Sequence, residues 1–596
     1  MNLNVNTRFF SVGIIFSLIG VLIFGQMVSI QNRTDIKDVD TYYKDNNDII
    51  SFTVIPERGM IYDRNGKPLA GSKEVYEVGI DFKTIHPDTW SEEIAAMASE
   101  VQRITGWDCT PLLSVTAKNV GKQQYMRLAD GVEPADADKL VESKKSLSAM
   151  GKPYMRSLVI VPHLQRAYPE GTLAANVLGY VTSLDATNPR GVNGVEGRQN
   201  SYLAGTAVTV SIPRSPYDIT TIPNLPSGAS LILTIDREIQ SAVEKIIDKA
   251  NSDNGALSTT AIVMDPRTGE ILAMASTPRI NPNQYWLVKK ELLDKKIPWN
   301  RAISQLYEPG SIFKPLTMSL AMEAGVVNRN TSYTDTGIFV APGKQIMNWD
   351  GHAYGKQNMV GCLQYSLNTC LSWVSYQLGE KKFYEGLKAF GIGQLSNVDL
   401  DGEDYYPLRL PGDENWTKLS LANNSFGQGV ALAPIQMISA LSAIANDGKI
   451  MAPHVLRAVI DKGRQYNIPA QVVNQPVSKA TANELTDMLA EAIQGESKVL
   501  KMEGYKIAGK TGTAEIPTPG GGYMSDKTNA SFVGWGPVDD PHFIVFVWLE
   551  QPGGPMPFGS VIAAPVFKDI FMASAQLTNL PPDAVRKQLI PTKTTK

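Results

Sequence analysis

Residues 9–30, FFSVGIIFSLIGVLIFGQMVSI, contain no formal charge and a single glutamine, and no other stretch of this 596-residue chain restricts its folding so tightly. As a helix rising 1.5 Å per residue the run reaches about 33 Å, close to the hydrocarbon thickness of a bilayer. It is apolar on every face and terminal, which argues against a core helix of a soluble domain. A secretory signal peptide is the competing reading. Its apolar region is usually shorter and ends in a small-x-small cleavage site, and residues 26–32 offer none. An uncleaved transmembrane anchor is therefore expected, after a short cytoplasmic head at 1–8. Arg8 precedes the span and Arg33 and Lys37 follow it, so charge orients it weakly. The shortness of the head relative to the body suggests that the body is exported, making this a single-pass protein of the cell (inner) membrane.

The length suggests two to four domains. A net charge of −3, without runs of like charge, excludes the basic excess that marks nucleic-acid binding. The cysteines, Cys109, Cys362 and Cys370, are too few for a disulfide framework and match no metal spacing. They are expected to be packed thiols.

Beyond the anchor, DIKDVDTYYKDNND reads as a polar connector. Residues 51–206 then mix β-rich runs such as EVYEVGI with helical ones such as EEIAAMASEVQRI, where apolar positions recur at three and four, and the segment reads as an irregular α+β module. A Pro- and Ser-rich stretch at 211–230 marks a boundary. Downstream, DREIQSAVEKIIDKA is an amphipathic helix with Asp236 as N-cap and Ile239, Val243, Ile246 and Ile247 facing inward. TTAIVMDPRTGEILAMAST carries a hairpin signal around Asp-Pro-Arg-Thr-Gly. KIAGKTGTAE, NASFVGWGPV and HFIVFVWLE are late strand candidates, with helical stretches between. Strands at both ends and helices in the middle predict an α+β layer fold whose sheet joins the two ends of the domain. The domain map that follows is 31–206, a linker at 207–230, a main domain at 231–578 and a tail at 579–596.

Chemistry enters at LYEPGSIFKPLTMSLAMEAG, residues 306–325. Pro309-Gly310 breaks what precedes, and Pro315 must lie near a helix start. A helix opening at or near Ser311 would aim backbone N–H groups and its positive end at the serine oxygen, with Lys314 on the same face one turn on. Ser311 as a plain N-cap is the alternative. A serine nucleophile needs a base, and the histidines, His86, His163, His352, His454 and His542, come without a Gly-x-Ser-x-Gly elbow. Lysine can serve if burial and a neighbouring cation lower its pKa from about 10.4.

Lys510, in YKIAGKTGTAE, is a candidate for that cation. The run from Gly504 to Thr511 also matches the phosphate-loop pattern, but that pattern needs a buried strand before the first glycine and a helix opening at the lysine. The flanks here, ESKVLKMEG and TGTAEIPTPGGG, suit neither. A Gly-rich strand end is a further reading. Ser366 and Asn368, in CLQYSLNTCLSW, would alone suggest nothing beyond a helix cap.

In order, Ser311-x-x-Lys314, Ser366-x-Asn368 and Lys510-Thr511-Gly512 reproduce the three-motif set of penicillin-binding proteins and serine β-lactamases. The chain resembles the class B penicillin-binding proteins, the monofunctional peptidoglycan D,D-transpeptidases, from the anchor to about residue 575. RGMIYDRNGKPLA (58–70), RAYPEGTLAANVLGYV (166–181) and GVNGVEGRQNSYLAGT (191–206) look like the motifs of the family's pedestal, or dimerisation-type, domain. LTIDREIQ, NRAISQLYEPGSIFK, SFGQGVALAPIQM, IAGKTGTAE and ASFVGWGP resemble segments of its transpeptidase domain. Leucine at 367 and the less Gly-rich GESKVLK are the departures, and neither touches a catalytic atom.

The resemblance implies a penicillin-binding, β-lactamase-like α+β domain, an antiparallel sheet packed with helices, behind a pedestal and one transmembrane helix. Ser311 would attack the carbonyl between the terminal D-alanines of a stem peptide, leaving an acyl-enzyme that a second stem peptide's amine resolves into a cross-link. Lys314 would take the hydroxyl proton, helped by the field of Lys510. Ser366 would relay a proton to the leaving amine, and Asn368 would hold Lys314 and the substrate amide. Thr511 and Thr513 would bind the terminal carboxylate, Gly512 would permit close approach, and the N–H groups of Ser311 and Thr513 would form the oxyanion hole. No metal or organic cofactor is implied. The implied partners are lipid-linked or nascent peptidoglycan strands, β-lactams as covalent inhibitors and a membrane glycan polymerase, with no nucleic acid. A β-lactam sensor or hydrolase with the same motifs, or a scaffold of a wall-building complex, are the alternatives. The pedestal and the Lys-Thr-Gly-Thr-Ala run look closer to the division branch than to elongation.

Overall fold

The computed structural model describes residues 5–31, 49–85, 89–110, 125–150, 155–182, 189–213, 225–287, 298–496, 498–518 and 520–589. They form two compact units, Met1–Pro56 with Thr206–Leu225, and Glu57–Gly205 with Pro226–Lys596. The polar connector, the middle of the expected linker and the end of the tail lie outside the described residues.

In the first unit the apolar run lies within a helix, Val5–Gln31. Its side chains from 16 to 29 are all exposed. Ile49–Val54 pairs antiparallel with Val208–Pro213 in the same unit.

The second unit holds the α+β module and the main domain together. Pro68–Asp81 is flanked by Tyr125–Val132 and Leu158–Ala167, antiparallel on both sides. The helix Trp90–Thr105 covers one face of these strands through Ile94, Met97 and Val101, the expected periodic positions, and stops at Gly106 in a left-handed conformation. The sheet continues beyond the module. Ile61–Tyr62 pairs parallel with Ser230–Leu233, which pairs antiparallel with Leu456–Asp461, so the sequence boundary at 230 lies inside one sheet.

Three stretches far apart in the module converge on Glu196, which is fully buried. Arg58 Nε donates to one carboxylate oxygen at 2.7 Å and Arg166 Nε to the other at 2.6 Å, with the Tyr168 hydroxyl at 3.2 Å. Burial alone would raise the Glu196 carboxyl, but the two guanidinium charges outweigh it and hold it below the usual carboxylate range.

The main domain is built on a five-stranded antiparallel sheet. Helix α1 (Arg237–Asn254) starts at Asp236, whose carboxylate accepts from the N–H groups of Glu238 and Ile239. Strands β1 (Ser258–Met264) and β2 (Ile271–Ser276) form the expected hairpin. Helices α2 (Lys314–Glu323), α3 (Met359–Gln364), α4 (Asn368–Leu378), α5 (Pro434–Ala445) and α6 (Lys479–Glu496) follow. Strands β3 (Ala508–Pro517), β4 (Tyr523–Gly536) and β5 (Phe543–Glu550) complete the sheet, and α7 (Ala564–Leu577) follows them.

The strand order is β2-β1-β5-β4-β3, and β1 and β5 pair from Ser258 opposite Glu550 to Met264 opposite Ile544. β1 is buried at every position because both faces are covered. Ala261 and Val263 meet α1 and α7, while Ile262 and Met264 meet the core that contains Leu316, Leu371, Met437 and Leu489. Helix α7 with its preceding turn, Gly559–Leu577, is long and apolar enough to cross a bilayer, but Phe567, Ile570 and Phe571 are fully buried, which makes it a core helix.

Candidate active site

Gly310 adopts φ +60°, and a Cβ there would lie 3.0 Å from Ala514 Cβ, so both backbone and space favour glycine. Its N–H donates to the Gly427 carbonyl at 3.1 Å. The chain then makes a single 3₁₀ turn, Gly310–Phe313, before α2 begins at Lys314 with Pro315 in its first turn. Ser311 thus lies within the 3₁₀ turn and does not cap the α-helix, as the plain N-cap reading would have required. It is half-buried, one turn before Lys314. Behind it, the Thr317 hydroxyl donates to the Ser425 carbonyl at 2.7 Å, so the SFGQG segment buttresses the helix. Glu308, just ahead of the turn, has its carboxyl pushed up by burial, although the Tyr523 hydroxyl donates to it at 3.1 Å.

Lys314 is fully buried, which few lysines are. Its Nζ donates to the Ser366 carbonyl at 2.5 Å, the Ser366 hydroxyl at 3.1 Å and the Asn368 Oδ1 at 2.8 Å. Asn368 spends its other end on the Met347 carbonyl, with Nδ2 donating at 3.2 Å, which fixes the orientation of its amide. Next to it, the Thr369 hydroxyl donates to buried Asp335 at 2.7 Å, and Asp335 also accepts from Asn348 and from the Tyr354 N–H. The first turn of α4 is thereby tied to the 335–354 loop.

Ser366 has φ +53°, a left-handed conformation that costs a non-glycine residue free energy. The N-cap of α4 is Leu367, so the cap reading of Ser366 is corrected. The strained turn puts two oxygens of one residue on the lysine.

Lys510 lies inside strand β3, 1 % exposed, with its Nζ on the Thr511 carbonyl and hydroxyl at 3.3 and 3.1 Å. A phosphate loop would open a helix here, and the extended backbone rules it out. Gly512 is the point of closest approach. A Cβ there would fall 2.3 Å from the Ser531 Oγ and 2.9 Å from the Ile312 side chain, so the strand and the Ser311 turn touch only because the side chain is missing. Lys510, two residues back, shares that face of the strand. Thr511 is buried, while Thr513 is exposed and its hydroxyl accepts the Gly559 N–H at 3.1 Å. β3 ends the sheet, so one edge of its backbone has no strand neighbour among the described residues.

The structure therefore brings the Ser311 turn against Gly512 and joins Lys314 to Ser366 and Asn368. His163, His352 and His542 pair with Asp130, Asp350 and Asp540, and His86 lies outside the described residues. Sequence reasoning missed the disulfide that joins Cys362 to Cys370, with Cα atoms 6.0 Å apart, and the expectation of packed thiols holds only for buried Cys109.

Comparison with known proteins agrees with this architecture. Residues 259–572 match the model of the penicillin-binding protein transpeptidase domain, and residues 53–214 that of the penicillin-binding protein dimerisation domain. The chain is 30 % identical to the probable peptidoglycan D,D-transpeptidase PbpC of Pseudomonas aeruginosa, over 97 % of this chain and 96 % of that one. It is 29 % identical to the peptidoglycan D,D-transpeptidase FtsI of Escherichia coli, over 89 % of this chain and 85 % of the other. A crystal structure of penicillin-binding protein 3 from Mycobacterium tuberculosis, complexed with aztreonam, superimposes with a TM-score of 0.66 at 25 % identity, covering 89 % of this chain and 98 % of that one. With a transpeptidase domain carrying Ser311, Lys314, Ser366, Asn368 and Lys510 behind a dimerisation-type domain, the chain belongs to the class B penicillin-binding proteins.

Proposed function

We propose that this chain is a serine-type peptidoglycan D,D-transpeptidase that cross-links stem peptides through a Ser311 acyl-enzyme and is a target of β-lactams. The observation that carries the reading is the buried Lys314 amine, held by Ser366 and Asn368 one turn from a half-buried serine. Burial away from water disfavours the ammonium form, which suits a group that must accept a proton, while the three oxygens hold the amine in place. Lys314 takes the Ser311 proton as Oγ attacks the D-Ala–D-Ala carbonyl, and Ser366 passes a proton to the departing D-alanine amine. Lys510 contributes a buried positive field, and Asn368 orients Lys314 and the substrate amide. The substrate lies as an added strand along the free edge of β3, its carboxylate on the hydroxyls of Thr511 and Thr513. The backbone N–H groups of Ser311 and Thr513 receive the oxyanion, each worth about 3 kcal/mol in the transition state.

The apolar helix at 9–30 anchors the protein in the cell membrane with the catalytic domain outside. A disulfide beside the site supports that side, because thiols in the cytosol are kept reduced. The proposed domain limits are 31–206 for the pedestal and 231–578 for the transpeptidase. Division is favoured over elongation by the likeness to FtsI, and a membrane glycan polymerase would supply the strands.

Ser311→Ala should abolish covalent labelling by fluorescent penicillin while the protein remains folded and membrane-bound. Undiminished labelling with the adduct mapped elsewhere would overturn the assignment. A long-lived adduct on the native protein, together with cross-linking of lipid-linked strands, separates a transpeptidase from a hydrolase, a sensor or a scaffold.

A further inference from the structure

Cys362 lies in α3 and Cys370 in the first turns of α4, both fully buried, and their disulfide closes a ring across a sequence separation of eight. The ring encloses the left-handed residue Ser366, the buried Leu367 and Asn368. Inside it the Leu367 N–H donates to the Cys362 carbonyl at 3.0 Å, so the same cysteine holds the turn by its backbone and by its sulfur. The three acceptors described above for Lys314 Nζ, the Ser366 carbonyl, the Ser366 hydroxyl and Asn368 Oδ1, all belong to residues of this ring. A non-glycine residue in a left-handed conformation persists only where its surroundings over-determine it. The covalent ring is such a constraint, and it fixes two helices that together present the acceptors to the lysine.

We propose that the Cys362–Cys370 disulfide is a positioning element of the acyl-transfer site, holding Ser366 and Asn368 on Lys314, and that the enzyme acylates at full rate only with the two sulfurs joined. The inference rests on the Ser311–Lys314 reading above. Forming the bond removes one proton from each thiol and passes two electrons to a disulfide-type oxidant of the thiol-exchange class, which leaves as a dithiol. Dithiothreitol reverses the step, returning two thiols to the protein and closing on itself as a cyclic disulfide.

The test uses the full-length protein in detergent and a slow fluorescent penicillin, with acylation rates measured across pH. Four samples are compared: the native protein, the native protein reduced by dithiothreitol in mild urea that is then removed, the same sample reoxidised with oxidised glutathione, and Cys362→Ala/Cys370→Ala. Mass spectrometry after thiol alkylation establishes the sulfur state of each. Opening the ring should slow acylation by about tenfold, as small misplacements of catalytic groups do, and should move the ascending limb of the pH profile to lower pH, because the protonated amine loses its acceptors. Reoxidation should restore both. If the double variant does not fold, the reduced native protein decides. Free thiols at both positions in the native protein would overturn the proposal. So would an unmoved rate and limb after reduction, or a loss of rate that merely tracks the folded fraction with the limb in place. Ser311→Ala distinguishes the levels of failure. If that variant still labels, the reading of the site falls, whereas a dead Ser311→Ala beside indifferent cysteine variants brings down this inference alone.

Discussion

Two buried clusters, each centred on a titratable side chain, sit in the same compact unit and are built on opposite rules. At Glu196 a carboxylate is clamped between Arg58 and Arg166, with ion pairs of 2.7 and 2.6 Å. At Lys314 an amine of comparable burial meets the oxygens of Ser366 and Asn368. Opposite charges in contact fix a protonation state and lock three chain segments together. Dipoles around an amine satisfy its hydrogen bonds while leaving the proton transferable. The first arrangement serves the architecture and the second the chemistry, so a mutation in each should move a different observable.

The sharpest way to break the comparison is Lys314→Met. Losing a general base costs about 10²–10⁴-fold in rate, so acylation should fall within that range. Replacing a buried amine by an apolar chain of similar length should leave the melting temperature unchanged or raised. A variant that unfolds while the residual folded fraction acylates normally would assign Lys314 to the architecture instead. Glu196→Ala should do the reverse. It leaves two buried guanidinium groups without their anion, which costs about 3–5 kcal/mol of stability by denaturant titration. Acylation per folded molecule should stay near native, and a selective loss of rate would show that the two clusters are coupled.

Lys510→Ala addresses the cation proposed to assist Lys314. Removing a buried positive charge on the face that meets the Ser311 turn favours protonation of the remaining amine. The ascending limb of the acylation profile should therefore move to higher pH, alongside a weaker hold on carboxylate-bearing β-lactams. A slower rate with an unmoved limb would reduce Lys510 to a substrate-binding role. The smallest effect expected is in acid. The Glu196 carboxyl titrates below its ordinary range in the folded protein, so its contribution is fully present above that range and is lost as pH falls through the lowered value. Melting temperature should drop on acidification less steeply in Glu196→Gln than in the native protein, once the variant's lower starting stability is subtracted.

Much of this was legible in the sequence because it is local. The Asp236 cap, the 258–276 hairpin and the three late strands follow from periodicity and turn residues, and they form as expected. The run HFIVFVWLE forms the expected strand, and its burial from Phe543 to Leu549, on both faces, is what the structure adds. Ser366 was legible as a motif but not as a geometry, because its left-handed backbone and both of its oxygens on Lys314 depend on contacts across about fifty positions of chain. The pairing of Cys362 with Cys370 depends on a distance that composition cannot supply. Resemblance marked out the segments containing Arg58, Arg166 and Glu196 without giving a reason for them, and the reason is the clamp. The sheet that runs through residue 230 was hidden because a Pro- and Ser-rich stretch signals a break in regular structure whether or not a strand resumes directly after it.

The pairing of β1 with β5 sets a schedule for folding. Ser258 and Glu550 are 292 positions apart, so at about 5–20 residues per second the ribosome needs about 15–60 s to deliver the strand that completes the centre of the sheet. Until then strands β1 and β2, buried at every position in the finished fold, have neither their neighbouring strand nor α7 to cover them. That interval leaves an apolar strand edge waiting for its partner. Truncation before residue 543 should therefore yield a polypeptide that aggregates rather than a smaller folded domain, however complete its nucleophile and lysine motifs.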